Sequence, residues 1–228
     1  MITLLPFYKE LNETKISKKL KKRIDSSQQF NYKNALTLMK DTFDKSNPDG
    51  NFIVQTDETT NLPFETFRSN LNGINLMEAI VLSHLNVVSK NLGKLILVGC
   101  DHLIPGNLEK IFEDDFDIAT CIIGDTFDDQ HRTNIINLVF VKNQNTKKQK
   151  RIIKFFQEQH NIFLNLPESD RLWWGDQKSL SFLLETKNII SEYYASNGKT
   201  NIFNFNKLKI KLFQYGGDQI VSSINLQS

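Results

Sequence analysis

Five short apolar runs, separated by longer stretches with helical spacing, restrict this chain to a few architectures. The runs cover residues 2–5 (ITLL), 52–55 (FIVQ), 95–100 (LILVGC), 118–123 (IATCII) and 136–141 (INLVFV). Most are flanked by Gly, Pro, Asn or Asp, as buried strands are. Residues 32–43 place Ala35, Leu36, Met39 and Phe43 on one face, and residues 71–88 repeat Ile74, Met77, Val81, Leu85 and Val88 at steps of three and four. Residues 152–159 and 176–184 also read as helices, and Asn107 reads as the N-cap of a short helix carrying Leu108, Ile111 and Phe112. Strands alternating with helices predict βαβ units, hence an α/β fold with a mostly parallel twisted sheet flanked by helices. Residues 143–151 and 196–199 read as polar surface breaks, and the chain from Phe203 onward as a closing hairpin or edge strand. No internal repeat and no Pro- or Ser-rich linker interrupts the pattern, so residues 1–228 are expected to form a single domain.

Composition narrows the partners. The 228 residues carry a net charge of +2, with 39% hydrophobic and 24% charged side chains, which fits a globular class. So small a charge gives no reason to expect a nucleic-acid partner. Cys100 and Cys121 each sit inside an apolar run and read as buried thiols in a reducing compartment; a disulfide between neighbouring strands is the alternative. No stretch approaches the roughly 20 apolar residues of a membrane span. The first residues, MITLLPFYKE, lack a preceding basic region and a small-residue cleavage site, so they read as a strand rather than a signal peptide. The expectation is a cytoplasmic protein. Its densest positive charge, residues 15–23 (KISKKLKKR), reads as a solvated helix face or as a contact with anionic lipid headgroups, worth about 1 kcal/mol per basic residue. In the second case the chain would lie against the inner face of a membrane, with residues 147–151 contributing if they share that side.

One carboxylate stands out. The run at 95–100 ends in Asp101, and Pro105-Gly106 then breaks the backbone. In open α/β sheets, ligands bind just outside the carboxyl ends of the strands. A carboxylate there can hold a divalent cation that in turn holds a diphosphate, because Mg²⁺ is bound by one or two carboxylates plus substrate phosphates. The alternative is a strand-ending Asp that caps the next turn. Asp57, in Thr56-Asp57-Glu58 after the second run, reaches the same edge if the strands are parallel; it reads as a nucleoside contact or as a turn residue. Tyr8, just past the first run, could stack on a base. The segment Trp173-Trp174-Gly175-Asp176-Gln177 holds both tryptophans of the chain. Indole planes suit the C–H faces of a sugar, and Asp176 and Gln177 suit its hydroxyls. Core packing and helix capping account for the same residues without a ligand. His102 follows Asp101, and strand alternation would turn the two side chains apart.

Several patterns are missing. There is no Gly-x-Gly-x-x-Gly and no Gly-x-x-x-x-Gly-Lys-[Ser/Thr], which removes the usual dinucleotide and P-loop readings. There is no Gly-x-Ser-x-Gly elbow, and the two cysteines lack the histidine pair of a zinc site.

In their order these segments resemble the GT-A class of nucleotide-sugar glycosyltransferases, from about residue 30 to 185. Residues 32–58 resemble the family's helix, loop and second strand ending in Thr-Asp. Residues 95–120, LILVGCDHLIPGNLEKIFEDDFDIAT, are similar to its strand, Asp-x-Asp, short helix and Phe-Asp before another strand. Residues 134–143 resemble the strand that begins Asn-x-Gly, with Asn134 and Asn137 at that pattern, and residues 175–180 resemble the Asp-Gln helix start. The first acid of Asp-x-Asp is here Gly99, and no C-terminal His is evident. The resemblance implies a single GT-A-like (Rossmann-like) domain that moves a sugar from a nucleoside-diphosphate donor, expected to be a UDP-sugar, to a saccharide or other hydroxyl acceptor, as in glycan or surface-polysaccharide synthesis. It implies that Asp101 holds Mn²⁺ or Mg²⁺, that Tyr8, Asp57, Asn134 and Asn137 lie by the donor, that Asp176 and Gln177 serve catalysis, and that Trp173 and Trp174 pack on the acceptor. Two further readings stand beside it: a haloacid-dehalogenase-like phosphatase, which also sets an Asp after an apolar strand but needs an acid where Leu103 stands, and a sugar-binding protein that kept the fold without catalysis.

Overall fold

The computed structural model describes residues 1–10, 32–122, 135–172, 174–214 and 222–223. In chain order its strands are β1 (Ile2–Phe7), β2 (Asn51–Phe52), β3 (Val54–Asp57), β4 (Thr66–Ser69), β5 (Gly93–Gly99), β6 (His102–Leu103), β7 (Ile118–Ile122), β8 (Ile135–Asn143), β9 (Ile202–Phe205), β10 (Leu208–Gln214) and β11 (Ser222–Ser223). The helices are α1 (Tyr32–Ser46), α2 (Leu76–Lys90), α3 (Thr146–Asn165), α4 (Glu168–Arg171), α5 (Gly175–Glu185) and α6 (Ile189–Ala195), with a 3₁₀ helix at Leu108–Glu113. Among the described residues, nine strands form one sheet in the order β4-β3-β1-β5-β8-β7-β10-β9, with β2 beside β1. The pairs β4–β3, β3–β1, β1–β2, β1–β5 and β7–β10 are parallel, while β8 runs antiparallel between β5 and β7 and β9 antiparallel to β10. The sheet is thus mostly parallel, as the alternation of strands and helices predicts.

Strand alternation divides the core. Ile96 and Val98 of β5 pack with Leu36, Met39 and Phe43 of α1 on one face. Leu95 and Leu97 pack with Val87 and Val88 of α2 and Phe155 and Phe156 of α3 on the other. Such an apolar run, buried on both faces, is what a central parallel strand requires. The expected closing hairpin is β9–β10, and β9 is the edge.

Three boundaries differ from the sequence reading. The helix expected from residue 71 begins at Leu76, where the Asn75 side chain accepts the Glu78 N–H at 2.9 Å. The stretch 143–151 is not a surface break. Asn143 closes β8 fully buried, its Nδ2 donating to the Val88 carbonyl at 2.9 Å, and Asn145 caps α3 by accepting the Lys148 N–H at 3.0 Å. The polar residues there are the outward face of an amphipathic helix whose apolar side starts at Ile152. Asn107 does cap a helix, but a 3₁₀ one. Both cysteines are free; Cys100 follows β5 and Cys121 lies in β7, and β8 separates those two strands, so a bridge between adjacent strands is excluded. The basic run at 15–23 lies outside the described residues. No helix among the described residues is long and apolar enough to cross a membrane.

His84 is an unusual core residue. It sits on α2 at 3% exposure with its ring edge-on to Phe156, the centroids 6.4 Å apart, and its Nε2 has no hydrogen-bond partner. Burial pulls its pKa down to about 3, so the ring is neutral in the folded protein.

Candidate active site

Parallel pairing of β1, β3 and β5 brings their carboxyl ends to one edge of the sheet, and the chain places Tyr8, Asp57 and Asp101 there. Each has a different local role.

Asp57 is buried at 3% exposure. Its Oδ1 accepts the N–H groups of Thr60 at 2.8 Å and Thr59 at 3.2 Å, and its Oδ2 accepts the Thr59 hydroxyl at 3.1 Å. Lys9 Nζ lies 3.8 Å from Oδ2 and donates to the Leu71 carbonyl at 2.7 Å. Burial pushes this carboxyl up, but the Thr60 and Thr59 hydrogen bonds and Lys9 outweigh it and hold the pKa below the ordinary range. Asp57 therefore fixes the 57–60 turn, the second of the two roles its position allowed.

Asp101 is half exposed at 46%, in the turn between β5 and β6. Its Oδ1 lies 3.2 Å from His102 Nδ1, a buried nitrogen otherwise without a partner. Strand alternation does not separate this pair, because β5 ends at Gly99 and the backbone turns through Cys100 and Asp101. Burial pushes the Asp101 carboxyl up, and His102 together with a backbone N–H draws it below its ordinary range. Asp101 is thus a carboxylate at neutral pH, in contact with solvent and braced from one side. Gly99 makes room for it: a Cβ at that position would lie 2.9 Å from Asp101 Oδ1.

Asp176 arrives from the other direction, as the second residue of α5, at 5% exposure. Its backbone carbonyl accepts Gln159 Nε2 at 3.0 Å and the Ser179 hydroxyl at 2.8 Å, which ties the helix start to α3. Gly175 permits that docking, since a Cβ there would lie 2.8 Å from Phe163 and 2.9 Å from the Asp170 carbonyl. Burial raises the Asp176 pKa to about 7, opposed by the Gln177 N–H and its own N–H, and the negative charge of Asp101 raises it further. The negative charge of Asp101 thus reaches Asp176, 75 positions away in sequence. Their surroundings push the two carboxyls apart, Asp101 below its ordinary range and Asp176 up to about 7. Asp176 is not the N-cap; that position is Trp174, which makes no side-chain capping bond.

Trp174 is 43% exposed and held at φ 59°. The left-handed region costs a non-Gly, non-Asn residue about 1–2 kcal/mol, and such strain gathers at functional sites. Gln177 is half buried on the first turn of α5. Asn137 lies in β8 one residue before Leu138, which pairs across from Val98, so it reaches the level of Gly99. Trp173 and Asn134 lie outside the described residues.

The structure adds Tyr32. Its pKa is pushed up to about 12 by burial and then by the charges of Cys100 and Asp101. Tyr8 is raised by burial too, with Lys33 opposing and Glu10 and Cys100 adding. A signal existed for Tyr32. It opens α1, and in a βα unit the helix start faces the same edge as the strand ends. His102 gave no comparable signal, because its contact depends on where β5 stops.

Among the described residues, no three His, Cys, Asp or Glu side chains cluster as a complete metal cage. What is present is a single solvent-facing carboxylate with His102 Nδ1 3.2 Å from one of its oxygens. That donor set fits a hard cation whose remaining ligands are substrate phosphates and water.

No protein-family model and no curated protein sequence matches this chain. Solved structures do. A galactosyltransferase, LgtC, crystallised with donor and acceptor sugar analogs, superposes with a TM-score of 0.53 at 11% identity, over 95% of this chain and 88% of that one. The glycosyltransferase GlyE of Streptococcus pneumoniae TIGR4, in its apo form, overlaps with a TM-score of 0.48 at 12% identity, over 87% of this chain and 49% of that one. The mixed sheet with its helices on both faces, and its overlap with LgtC along nearly the whole chain, identify the fold as GT-A-like.

Proposed function

We propose that this protein is a glycosyltransferase that moves a sugar from a nucleoside-diphosphate donor to an acceptor hydroxyl. The reading is supported by the electrostatic coupling of Asp101 and Asp176 within a GT-A-like fold, one ionised and open to solvent after β5, the other buried with a pKa raised to about 7. Asp101 would hold Mn²⁺ or Mg²⁺, with His102 bracing the carboxylate. When bound, that cation neutralises charge on the departing diphosphate. Tyr8 and Tyr32 wall the donor end. Asp57 serves it through the 57–60 turn, and Asn137, with Asn134 ahead of it, lines the strand between. Asp176 takes the acceptor hydroxyl proton as general base, a role suited to a pKa near the working pH. Gln177 hydrogen-bonds the sugar, and Trp174, with Trp173 beside it, offers an indole face to the acceptor. UDP is the expected nucleotide, in keeping with a bacterial-type glycan or surface-polysaccharide pathway served from the cytoplasm.

Calorimetry with a panel of nucleoside diphosphates, with and without Mn²⁺, tests this. UDP is expected to bind in the presence of Mn²⁺, and Asp101→Ala is expected to weaken that binding at least tenfold and to stop donor hydrolysis. Unchanged binding and hydrolysis in Asp101→Ala would remove the proposal. Binding with neither transfer nor hydrolysis would favour the non-catalytic sugar-binding reading. The phosphatase reading has less support, because Leu103 occupies the position of its second acid and is paired in β6 with β11.

Gly99 provides a finer test. The atom its new Cβ would strike is the end of a rotatable carboxylate. Gly99→Ala should therefore leave the Tm within a few degrees while weakening Mn²⁺-dependent UDP binding several-fold. Wild-type nucleotide affinity in the Gly99→Ala variant would show that the Asp101 rotamer is immaterial.

A further inference from the structure

A cavity opens at the opposite edge of the sheet. It has a volume of about 300 Å³ and lies between α3 and the β9–β10 turn. Arg151, Lys154 and Lys207 line it, with Glu158 as its one acid and Phe155 and Phe205 as its floor. The register sets its place. Ile210 of β10 pairs with Ile118, and Val141 pairs with both Ile118 and Leu95. The turn before β10 thus lies below the start of β5, roughly 20 Å along the strand direction from Asp101. Nothing in the proposed transfer reaction uses it.

Three features mark this cavity as built for an anion. First, its cations are not neutralised as their neighbours are. Lys148, Lys209 and Lys211, on the same two elements, pair with Asp117, Asp115 and Asp114. Arg151 and Lys207 have no carboxylate partner among the described residues, and Lys154 has only Glu158, at 4.0 Å. Second, the guanidinium is oriented: Arg151 Nη1 donates to the Lys207 carbonyl at 3.3 Å, which leaves its other N–H groups free to aim elsewhere. Third, the turn holds Asn206 at φ 48° and Lys207 at φ 66°. Two-residue turns of this kind favour glycine at the second position, so a lysine there carries backbone strain. The floor is aromatic, with Phe155 and Phe205 edge to face at 5.4 Å between centroids.

We propose that this cavity binds a phosphate monoester carried on a flat or apolar body, with Arg151, Lys154 and Lys207 on the phosphate and the phenylalanine floor under the body. Arg and Lys together suit a dianionic phosphate, the fork by paired N–H bonds and the ammonium groups as point charges. The phosphate comes either from a soluble phosphoester or from a lipid headgroup presented at a membrane surface.

Phenyl phosphate titrated into the protein by calorimetry, in EDTA so that the donor edge holds no metal, tests the site. Wild type is expected to bind phenyl phosphate and not phenol. Lys207→Gly removes the cation and relieves the turn, so folding cannot confound the result: its Tm should equal or exceed wild type while phenyl phosphate affinity falls at least fivefold. Arg151→Gln should lower it similarly. No binding by wild type, or unchanged affinity in Lys207→Gly, would overturn the proposal. Sedimentation with vesicles of phosphatidic acid in phosphatidylcholine separates the sources. Binding lost in Lys207→Gly identifies a headgroup, and vesicle binding absent in wild type alongside phenyl phosphate binding identifies a soluble ester. UDP binding at the Asp101 edge should be unchanged in both variants, so failure here leaves the proposed function standing.

Discussion

Asp176→Asn is expected to cut sugar transfer by orders of magnitude and to make the protein more stable at alkaline pH. The two effects share one cause. The folded protein holds Asp176 at a pKa of about 7, against 3.8 for an unperturbed aspartate. Between those values the folded chain keeps a proton that the unfolded chain has released, so stability falls as pH rises through the window. Each pKa unit is worth about 1.4 kcal/mol, which sets an upper limit of about 4 kcal/mol at pH 8. The amide carries no such penalty and still offers an oxygen to the Gln177 N–H. The variant's Tm should exceed wild type by roughly 5–15 °C at pH 8 and match it near pH 4, as read by calorimetric unfolding. Transfer should fall by about 10²–10⁴, the usual contribution of a general base, with UDP binding retained. In the wild type the transfer rate should decline as pH drops below about 7, as Asp176 takes up its proton. Full activity in a stably folded Asp176→Asn variant would show that another group receives the acceptor proton.

His84 works in the reverse direction. Its folded pKa of about 3 lies below the 6.5 of a free imidazole, so the unfolded chain binds the extra proton and stability is lost as pH falls from 6.5 toward 3. At pH 4.5 this amounts to about 3 kcal/mol. Asp176 gains a similar amount over nearly the same range, so the two opposed slopes cancel in the wild type. Each single variant should expose the other. His84→Leu is expected to grow more stable on acidification from pH 7 to 4.5, by roughly 5–10 °C in Tm, while Asp176→Asn should grow less stable over that interval. His84→Leu also removes a buried nitrogen that lacks a partner, so it should not be destabilised at pH 8 either. Parallel Tm-versus-pH curves for wild type and both variants would contradict the opposed ionisations.

The apolar runs were enough to place β1, β3, β5, β7 and β8, and the spacing of Leu36, Met39 and Phe43 was enough to place α1. Those signals survive because both faces of a central strand and one face of a flanking helix must be apolar, whatever the topology. The polar stretch at 143–151 misled for a related reason. The exposed first turns of an amphipathic helix look like a loop until the apolar residues from Ile152 onward are counted with them. Within the site, Asp101 was legible because a charge that ends an apolar run contrasts with every residue before it. Its brace was not, because strand periodicity says nothing about His102 once the backbone has turned.

By itself, then, the sequence determined which segments are buried and where a lone carboxylate leaves the core, since both follow from hydrophobicity and charge read a few residues at a time. Only the tertiary structure decided that the charge of Asp101 reaches Asp176 and Tyr32, and that Asp57 is occupied by its own turn. These are distances and desolvation between groups far apart in the chain, and they take values only when parallel pairing and helix docking bring the segments together.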